Sequence, residues 1–202
     1  MKLGVIILAA GAASRMGKAK MLLPIGNKTI LGHIIQEVKA LNPATICLVS
    51  GKYTAEIQAA LDLSSVTLIP FANWQAGMAA SIKFGMEALL EKEPAIGGIL
   101  FVVSDQPFLE RQMLFRMIDA FQQSGKGIVA AQYQDQFGTP VLFHPRYIHQ
   151  IRTLEGDRGA KKLLEKLVDD LVLIDFPLGA FDIDTEEDYA QFQLLLKQQD
   201  AY

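Results

Sequence analysis

The sequence predicts a three-layer α/β fold on a mostly parallel sheet, and three observations carry that prediction. Unbroken apolar runs, such as Gly98-Ile99-Leu100-Phe101-Val102-Val103, alternate with amphipathic stretches along the chain. Strands covered by helices on both faces read as such runs, whereas strands with one wet face alternate. The 202 residues are 50% apolar and 20% charged, enough for one full-sized α/β domain and too few for two comfortable ones. A single domain over 1–202 is expected, with no repeat, low-complexity tract or linker.

Taken in order, strands are expected at 3–9, 44–50, 65–70, 98–104, 127–132 and 171–176. Helices are expected at about 30–41, 53–61, 78–91, 110–123, 145–152, 159–168 and 185–198. The alternation of the two implies helices packed on both faces of the sheet. Residues 132–143, from Gln132 to Phe143, break the alternation and read as a hairpin or irregular excursion. It serves either as a ligand-facing wall or as a plain structural hairpin. In open sheets of this kind ligands bind beyond the carboxyl ends of the strands, so the segments that follow each strand are where chemistry is sought.

Charge is unevenly spread. No acidic residue precedes Glu37, while Lys2, Arg15, Lys18, Lys20 and Lys28 do, so the first 36 residues carry +5 and the remainder −8. A local basic patch on an acidic chain suits a small anionic ligand better than a nucleic acid. The lone Cys47 sits in the apolar run Thr45-Ile46-Cys47-Leu48-Val49, where a core thiol is expected. Such cysteine usage fits a reducing cytoplasm. The apolar run after Met1-Lys2 is short and is followed by cations, so it reads as a first strand and not a signal peptide. No stretch is long enough to span a bilayer, and no membrane partner is expected.

The strongest local feature follows that strand: Leu8-Ala9-Ala10-Gly11-Ala12-Ala13-Ser14-Arg15-Met16-Gly17-Lys18-Ala19-Lys20. Small residues let the backbone approach a ligand, and successive amides can cradle phosphate oxygens. Arg15, Lys18 and Lys20 put positive charge at the same place. The dinucleotide fingerprint fails, because Ala13 and Met16 stand where it needs glycine. The Walker loop fails too: five residues separate Gly11 from Gly17, and Ala19 follows Lys18. Hydride transfer and P-loop ATPase chemistry are thereby disfavoured. His33, His144 and His149 form no persuasive nucleophile arrangement and read as solvated or structural.

The opening Leu-Ala-Ala-Gly-x-x-Ser-Arg-Met-Gly-x-x-Lys-x-Leu-Leu-Pro resembles the signature of the MobA-like nucleotidyltransferases. Further matching motifs follow in order. They are Val49-Ser50-Gly51, Asn73 with Gly77-Met78-x-x-Ser81, Asp105-Gln106-Pro107, Gly138-Thr139-Pro140-Val141, Gly156-Asp157-Arg158-Gly159-Ala160, and Asp182 through Tyr189. The set looks like the branch that contains molybdenum cofactor cytidylyltransferase. Two departures stand out: Thr139 where Asn is usual, and Glu186 where Pro often follows Asp-Thr. The second is expected to be harmless, since Asp184 or Thr185 can cap the last helix and Glu suits a first turn.

The resemblance implies a Rossmann-like sheet of the nucleotide-diphospho-sugar transferase type. It also implies transfer of CMP from CTP to a phosphorylated, molybdopterin-type acceptor, with Mg²⁺ as cofactor and a molybdoenzyme as a possible recipient of the product. Arg15, Lys20 and Asp105 are the implied catalytic residues. The nucleotide site would comprise Leu8, Ala9, Ala10, Gly11, Ser14, Arg15, Lys20, Ser50, Gly51, Asn73, Gly77, Met78 and Ser81. The acceptor would meet Gln106, Thr139, Pro140, Gly156, Asp157, Gly159 and Ala160, and Arg158 either reaches a phosphate or is solvated. Asp105 and Asp184 are the candidate Mg²⁺ ligands, and their carboxylates would have to converge. Asp105 ends an apolar strand, where a bare carboxylate is costly unless it binds something; the other reading is a helix N-cap. Four alternatives stay open: GTP as donor, a sugar-phosphate acceptor, a cofactor chaperone without catalysis, and, least favoured, a dehydrogenase.

Overall fold

The computed structural model describes residues 1–11, 18–133, 136–157, 159–181, 183 and 185–199. Its first part comprises β1 (Leu3–Ala9), the short pair β2 (Pro24–Ile25) and β3 (Lys28–Thr29), α1 (Ile30–Lys39), β4 (Thr45–Ser50), α2 (Thr54–Ala60) and β5 (Thr67–Pro70). Next come α3 (Met78–Lys92), β6 (Gly98–Val103), α4 (Arg111–Ser124), β7 (Ile128–Tyr133) and β8 (Gln136–Phe143). The last part holds α5 (Ile148–Arg152), α6 (Lys161–Lys166), β9 (Leu171–Asp175) and α7 (Glu186–Gln199). Single 3₁₀ turns at Lys20–Leu22, Trp74–Ala76 and Pro177–Ala180 lie in loops that matter below.

Seven strands form one sheet in the order β5-β4-β1-β6-β8-β7-β9. All pairings are parallel except those of β8, which runs antiparallel to both β6 and β7. Every residue of β1 is buried, as its apolar run requires, and alternate side chains enter opposite cores. Val5, Ile7 and Ala9 join Ile34 of α1, Ile57 of α2, Met117 of α4 and Phe192 of α7. Ile6 and Leu8 join Ile82 and Met86 of α3, Ile151 of α5 and Leu164 of α6. The result is the expected three-layer architecture.

Local signals set the helix starts. Thr29 accepts a hydrogen bond from Gly32 N (3.0 Å) at the N-terminus of α1. At α7, Thr185 Oγ1 accepts from Asp188 N (3.1 Å) while Asp188 Oδ2 accepts from Thr185 N (2.8 Å). This reciprocal box satisfies two end amides at once, and Thr185 does the capping that the sequence left to it or Asp184.

The expected hairpin is present as β7 and β8, but its second arm is no excursion. β8 sits inside the sheet between β6 and β7. Its register shifts opposite Ala130 and Ala131, which pair with Val141 and Gly138, leaving Thr139 and Pro140 unpaired in a bulge. The bulge is what lets a proline stand in an interior strand. It also brings Thr139 to the carboxyl end of β6.

Candidate functional site

Three connected clefts lie along the carboxyl ends of the parallel strands. The first, about 330 Å³, is lined by Ala10 and Gly11 after β1 and by Trp74, Gly77, Met78 and Ser81 around the start of α3. The second, about 210 Å³, has mainly apolar walls, among them Leu8, Ile82, Phe101, Val103, Phe143 and Leu164. Gly138, Thr139, Asp157, Gly159 and Ala160 complete much of its rim. The third, about 360 Å³, contains Asp105 and Gln106 together with Tyr133, Gln136, Thr139 and Gly179. Leu8, Met78 and Asp157 belong to both the first and second clefts, and Val103, Tyr133, Gln136 and Thr139 to both the second and third. The three are thus one groove.

The structure gathers most of the sequence-derived residues here. Lys20, in the 3₁₀ turn after β1, places Nζ 3.2 Å from Asp105 Oδ2, in the loop after β6. Asp105 caps no helix: α4 begins only at Arg111, with Glu110 at the cap position. Leu8, Ala9 and Ala10 are buried at the end of β1, and Gly11 is exposed at the groove. Met78 is partly exposed at the junction of two clefts, and the buried Ser81 donates Oγ to Gly77 O (3.4 Å).

Gly77 has φ +92°, a region costly for residues with a Cβ, and a Cβ there would collide with Asp157 Oδ1. Ala79 N at the start of α3 donates to Gly156 O (3.1 Å), which seats Gly156 and Asp157 against the first cleft. Gly51 packs under Ala10 O and Trp74, each within 3.0 Å of where its Cβ would be. Ser50 is fully buried beneath the groove, and its Oγ accepts from Thr54 Oγ1 (2.9 Å). Asn73 is exposed ahead of the 74–76 turn and its side chain makes no cap. Neither Ser50 nor Asn73 lines the described clefts, and Pro140 stands at the bulge beside them.

Gln106 is almost wholly buried and ties three segments together. Its Nε2 donates to Thr139 O (2.9 Å) in the β8 bulge and to Gly179 O (3.0 Å) in the turn after β9. Two carbonyl acceptors fix which way the amide faces, and Oε1 has no donor among the described residues. Behind the same loop, Glu37 of α1 takes Arg111 in a two-point ion pair (2.7 and 2.9 Å) and accepts from Arg111 N (2.8 Å). Hydrogen bonding to Arg111 holds the Glu37 carboxyl below its ordinary value, against the opposing effect of burial. His33 Nε2 contacts Leu109 O (2.9 Å) beside it. The loop bearing Asp105 is therefore held at both ends, by Gln106 on one side and by Leu109 and Arg111 on the other.

Ser14, Arg15, Arg158 and Asp184 lie outside the described residues, as does Asp182. On either side of Asp184, Ile183 is buried in the core and Glu186 pairs with Lys18. No cluster of three metal-binding side chains occurs among the described residues. Sequence reasoning did not reach Trp74, Lys161 or Gly179 as groove residues, and it reached Tyr133 and Gln136 only within the 132–143 segment expected to be either a binding wall or a plain hairpin. Trp74 and Lys161 stood next to motifs that were noticed; Gly179 carries no signal until the sheet order is known.

An open α/β sheet with a Lys20–Asp105 pair and a three-part groove at its carboxyl edge fits a nucleotidyltransferase of the MobA-like and nucleotide-sugar transferase type. Comparison with known proteins agrees. Residues 5–171 match the MobA-like NTP transferase domain, and the chain belongs to that family. It is similar to Rv0371c from Mycobacterium tuberculosis H37Rv, at 26% identity over 94% of this chain and 96% of that one, with a TM-score of 0.81. A second structure of Rv0371c, in complex with manganese, has 25% identity, covers 95% and 97% of the two chains, and gives a TM-score of 0.73. The fold is shared with a nucleotidyl transferase from Methanothermobacter thermautotroptrophicus (TM-score 0.81, 20% identity, 98% and 99% covered). The bifunctional protein GlmU of Francisella tularensis subsp. novicida is 28% identical over 140 residues. That match spans 68% of this chain and 30% of GlmU.

Proposed function

We propose that the protein transfers CMP from CTP to a phosphorylated pterin-type acceptor, releasing pyrophosphate. The observation that carries this reading is the Lys20–Asp105 pair, whose carboxylate lines the third cleft of a groove that also holds a small-residue cleft and a mainly apolar cavity. The small-residue cleft suits a nucleotide, whose ribose and base can lie against Gly11, Gly77 and Ser81. The apolar cavity suits a flat ring better than a sugar, whose hydroxyls would lose hydrogen bonds against Phe101 and Phe143.

In the reaction an acceptor phosphate oxygen attacks the α-phosphorus of CTP, the α–β bridging bond breaks, and pyrophosphate departs with the negative charge. Lys20, with Arg15 by resemblance, neutralises that charge. The groove aligns two anions that would otherwise repel. No protein nucleophile takes part. The donor chemistry fits Mg²⁺: Asp105 offers a hard carboxylate oxygen, and a site of one or two carboxylates completed by phosphate and water is usual for this ion. Once bound, the ion would add charge compensation on the triphosphate, with Asp105 and, by resemblance, Asp184 as its protein ligands. The manganese held by the Rv0371c structure supports a divalent-metal site in this fold. The Leu-Ala-Ala-Gly opening favours CTP over GTP. No helix among the described residues is long and apolar enough to cross a membrane.

Turnover tests the reading. Each of the four nucleoside triphosphates is offered with purified molybdopterin and Mg²⁺, and pyrophosphate release is followed. CTP-dependent release is expected, and release with none of the four would refute the assignment.

A further inference from the structure

We infer that Lys161 is the anchor for an anionic group on the acceptor, a phosphate monoester attached to a flat heteroaromatic body. The inference rests on the reading above of a ring-bearing acceptor in the apolar cavity and adds the residue that recognises its charge.

Lys161 opens α6 and lines the apolar cavity. Its Nζ donates to Gln136 Oε1 at 3.0 Å, on the facing arm of the hairpin. That partner is neutral. Other described cations also have neutral partners, such as Lys28 on Gln36 and Lys126 on Asp169 O, but among the described residues Lys161 is the one cation that lines the three clefts.

The Lys161–Gln136 contact is exposed at the rim of the cavity, and a ligand seated against the apolar walls would cover it, so that an anion beside the ammonium gains more than it would in open water. An amide oxygen competes weakly with a phosphate for the same ammonium. The ammonium can exchange Gln136 for a ligand oxygen at little cost. Gln136 also lines the cleft that contains Asp105, so the Lys161–Gln136 pair stands on the passage between ring cavity and reaction centre. The other described charge on the cavity, the Asp157 carboxylate, packs over Gly77 at the junction with the nucleotide cleft. Opposite charges thus mark the two ends, and a phosphate is directed to the Lys161 end.

Fluorescence titration without nucleotide tests this, with 6-hydroxymethylpterin phosphate and 6-hydroxymethylpterin as probes. The wild type should bind the phosphorylated probe roughly 10- to 100-fold tighter, as expected for one charged hydrogen bond. Lys161→Met should erase that preference, and Lys161→Arg should restore it. CTP affinity should be the same in all three proteins, which also confirms folding. A Lys161→Met variant that keeps the wild-type preference would overturn the role of Lys161 while leaving the pterin reading intact. A wild type that binds neither probe, with CTP still bound, would overturn the pterin reading itself and the inference with it.

Discussion

Lys20 and Asp105, 85 positions apart in the chain, meet as an ion pair at 3.2 Å between the loops that follow two adjacent parallel strands. Both side chains are partly open to solvent, so the pair contributes little to stability. Its value lies in placement. β1 and β6 are neighbours in the sheet, and in-register pairing from Leu3–Gly98 to Leu8–Val103 delivers both loops to the same edge. In the proposed reaction the carboxylate holds the lysine in place for an incoming triphosphate.

Lys20→Ala should therefore lower turnover by about 100-fold or more while leaving the melting temperature nearly unchanged, because a preorganised charge is removed and no core is touched. Asp105→Asn should act similarly and raise the divalent-metal concentration needed for turnover. Pyrophosphate release and a thermal melt, read side by side, check both. Wild-type turnover in a folded Lys20→Ala protein would remove Lys20 from the reaction.

Gln106 gives a separate prediction. Glutamate in its place keeps the shape but sets an acceptor against Thr139 O and Gly179 O, where an amide now donates at 2.9 and 3.0 Å. Gln106→Glu should lose about 1–3 kcal/mol of stability and loosen the wall shared by the second and third clefts. The acceptor KM should rise several-fold while CTP affinity, which depends on the first cleft, stays the same. Equal losses for both substrates would mean that Gln106 supports the fold as a whole.

Much of this arrangement was legible in the residues. The strand at 3–9 and the helix starting at Ile30 are found where apolar periodicity put them. Lys20 and Asp105 were both expected at strand-following loops, and both are there. The interior placement of β8 was not legible. Gln136-Phe137-Gly138-Thr139-Pro140 has the glycine and proline of a turn, and only the bulge opposite Ala130 and Ala131 makes it compatible with a paired strand. β2 and β3, two residues each, are too short for any periodicity to register. In the site, Ser50 was expected as a nucleotide contact from the Val49-Ser50-Gly51 resemblance; it is buried, and its hydroxyl accepts from Thr54. Lys161 escaped notice because a lysine on a short helix looks like any solvated charge until the hairpin is folded across from it. The convergence expected of Asp184 lies outside the described residues.

Nucleotide choice is a third test. Ala10 lines the nucleotide cleft beside Gly11, and the expected preference is for CTP. In a mixture of equal CTP and GTP the cytidine product should dominate. A guanosine product would move the protein to GTP-dependent transfer, with the same acceptor site intact.

The Glu37–Arg111 brace yields a pH dependence whose sign is fixed by the structure. Glu37 is only 6% exposed, and hydrogen bonds from Arg111, aided by the charges of Arg111 and His33, hold its carboxyl below the usual 4.5. The unfolded chain therefore takes up this proton at higher pH than the folded one. The stabilisation is fully present above the ordinary carboxylate range and fades as pH falls through the lower, folded value. Glu37→Gln keeps one acceptor oxygen but cannot form the charged two-point pair, so at pH 7 it should destabilise the protein by about 1–3 kcal/mol. Near pH 3 the gap between wild type and variant should narrow, because the unfolded chain has taken up the Glu37 proton that the folded protein resists. Urea unfolding of both proteins at pH 7, 5 and 3 reads this directly. A gap that stays constant over that range would show that Glu37 acts through packing alone. Because Arg111 N begins α4 and Leu109 O is held by His33, the same variant should also reduce turnover modestly at pH 7, by loosening the loop that presents Asp105.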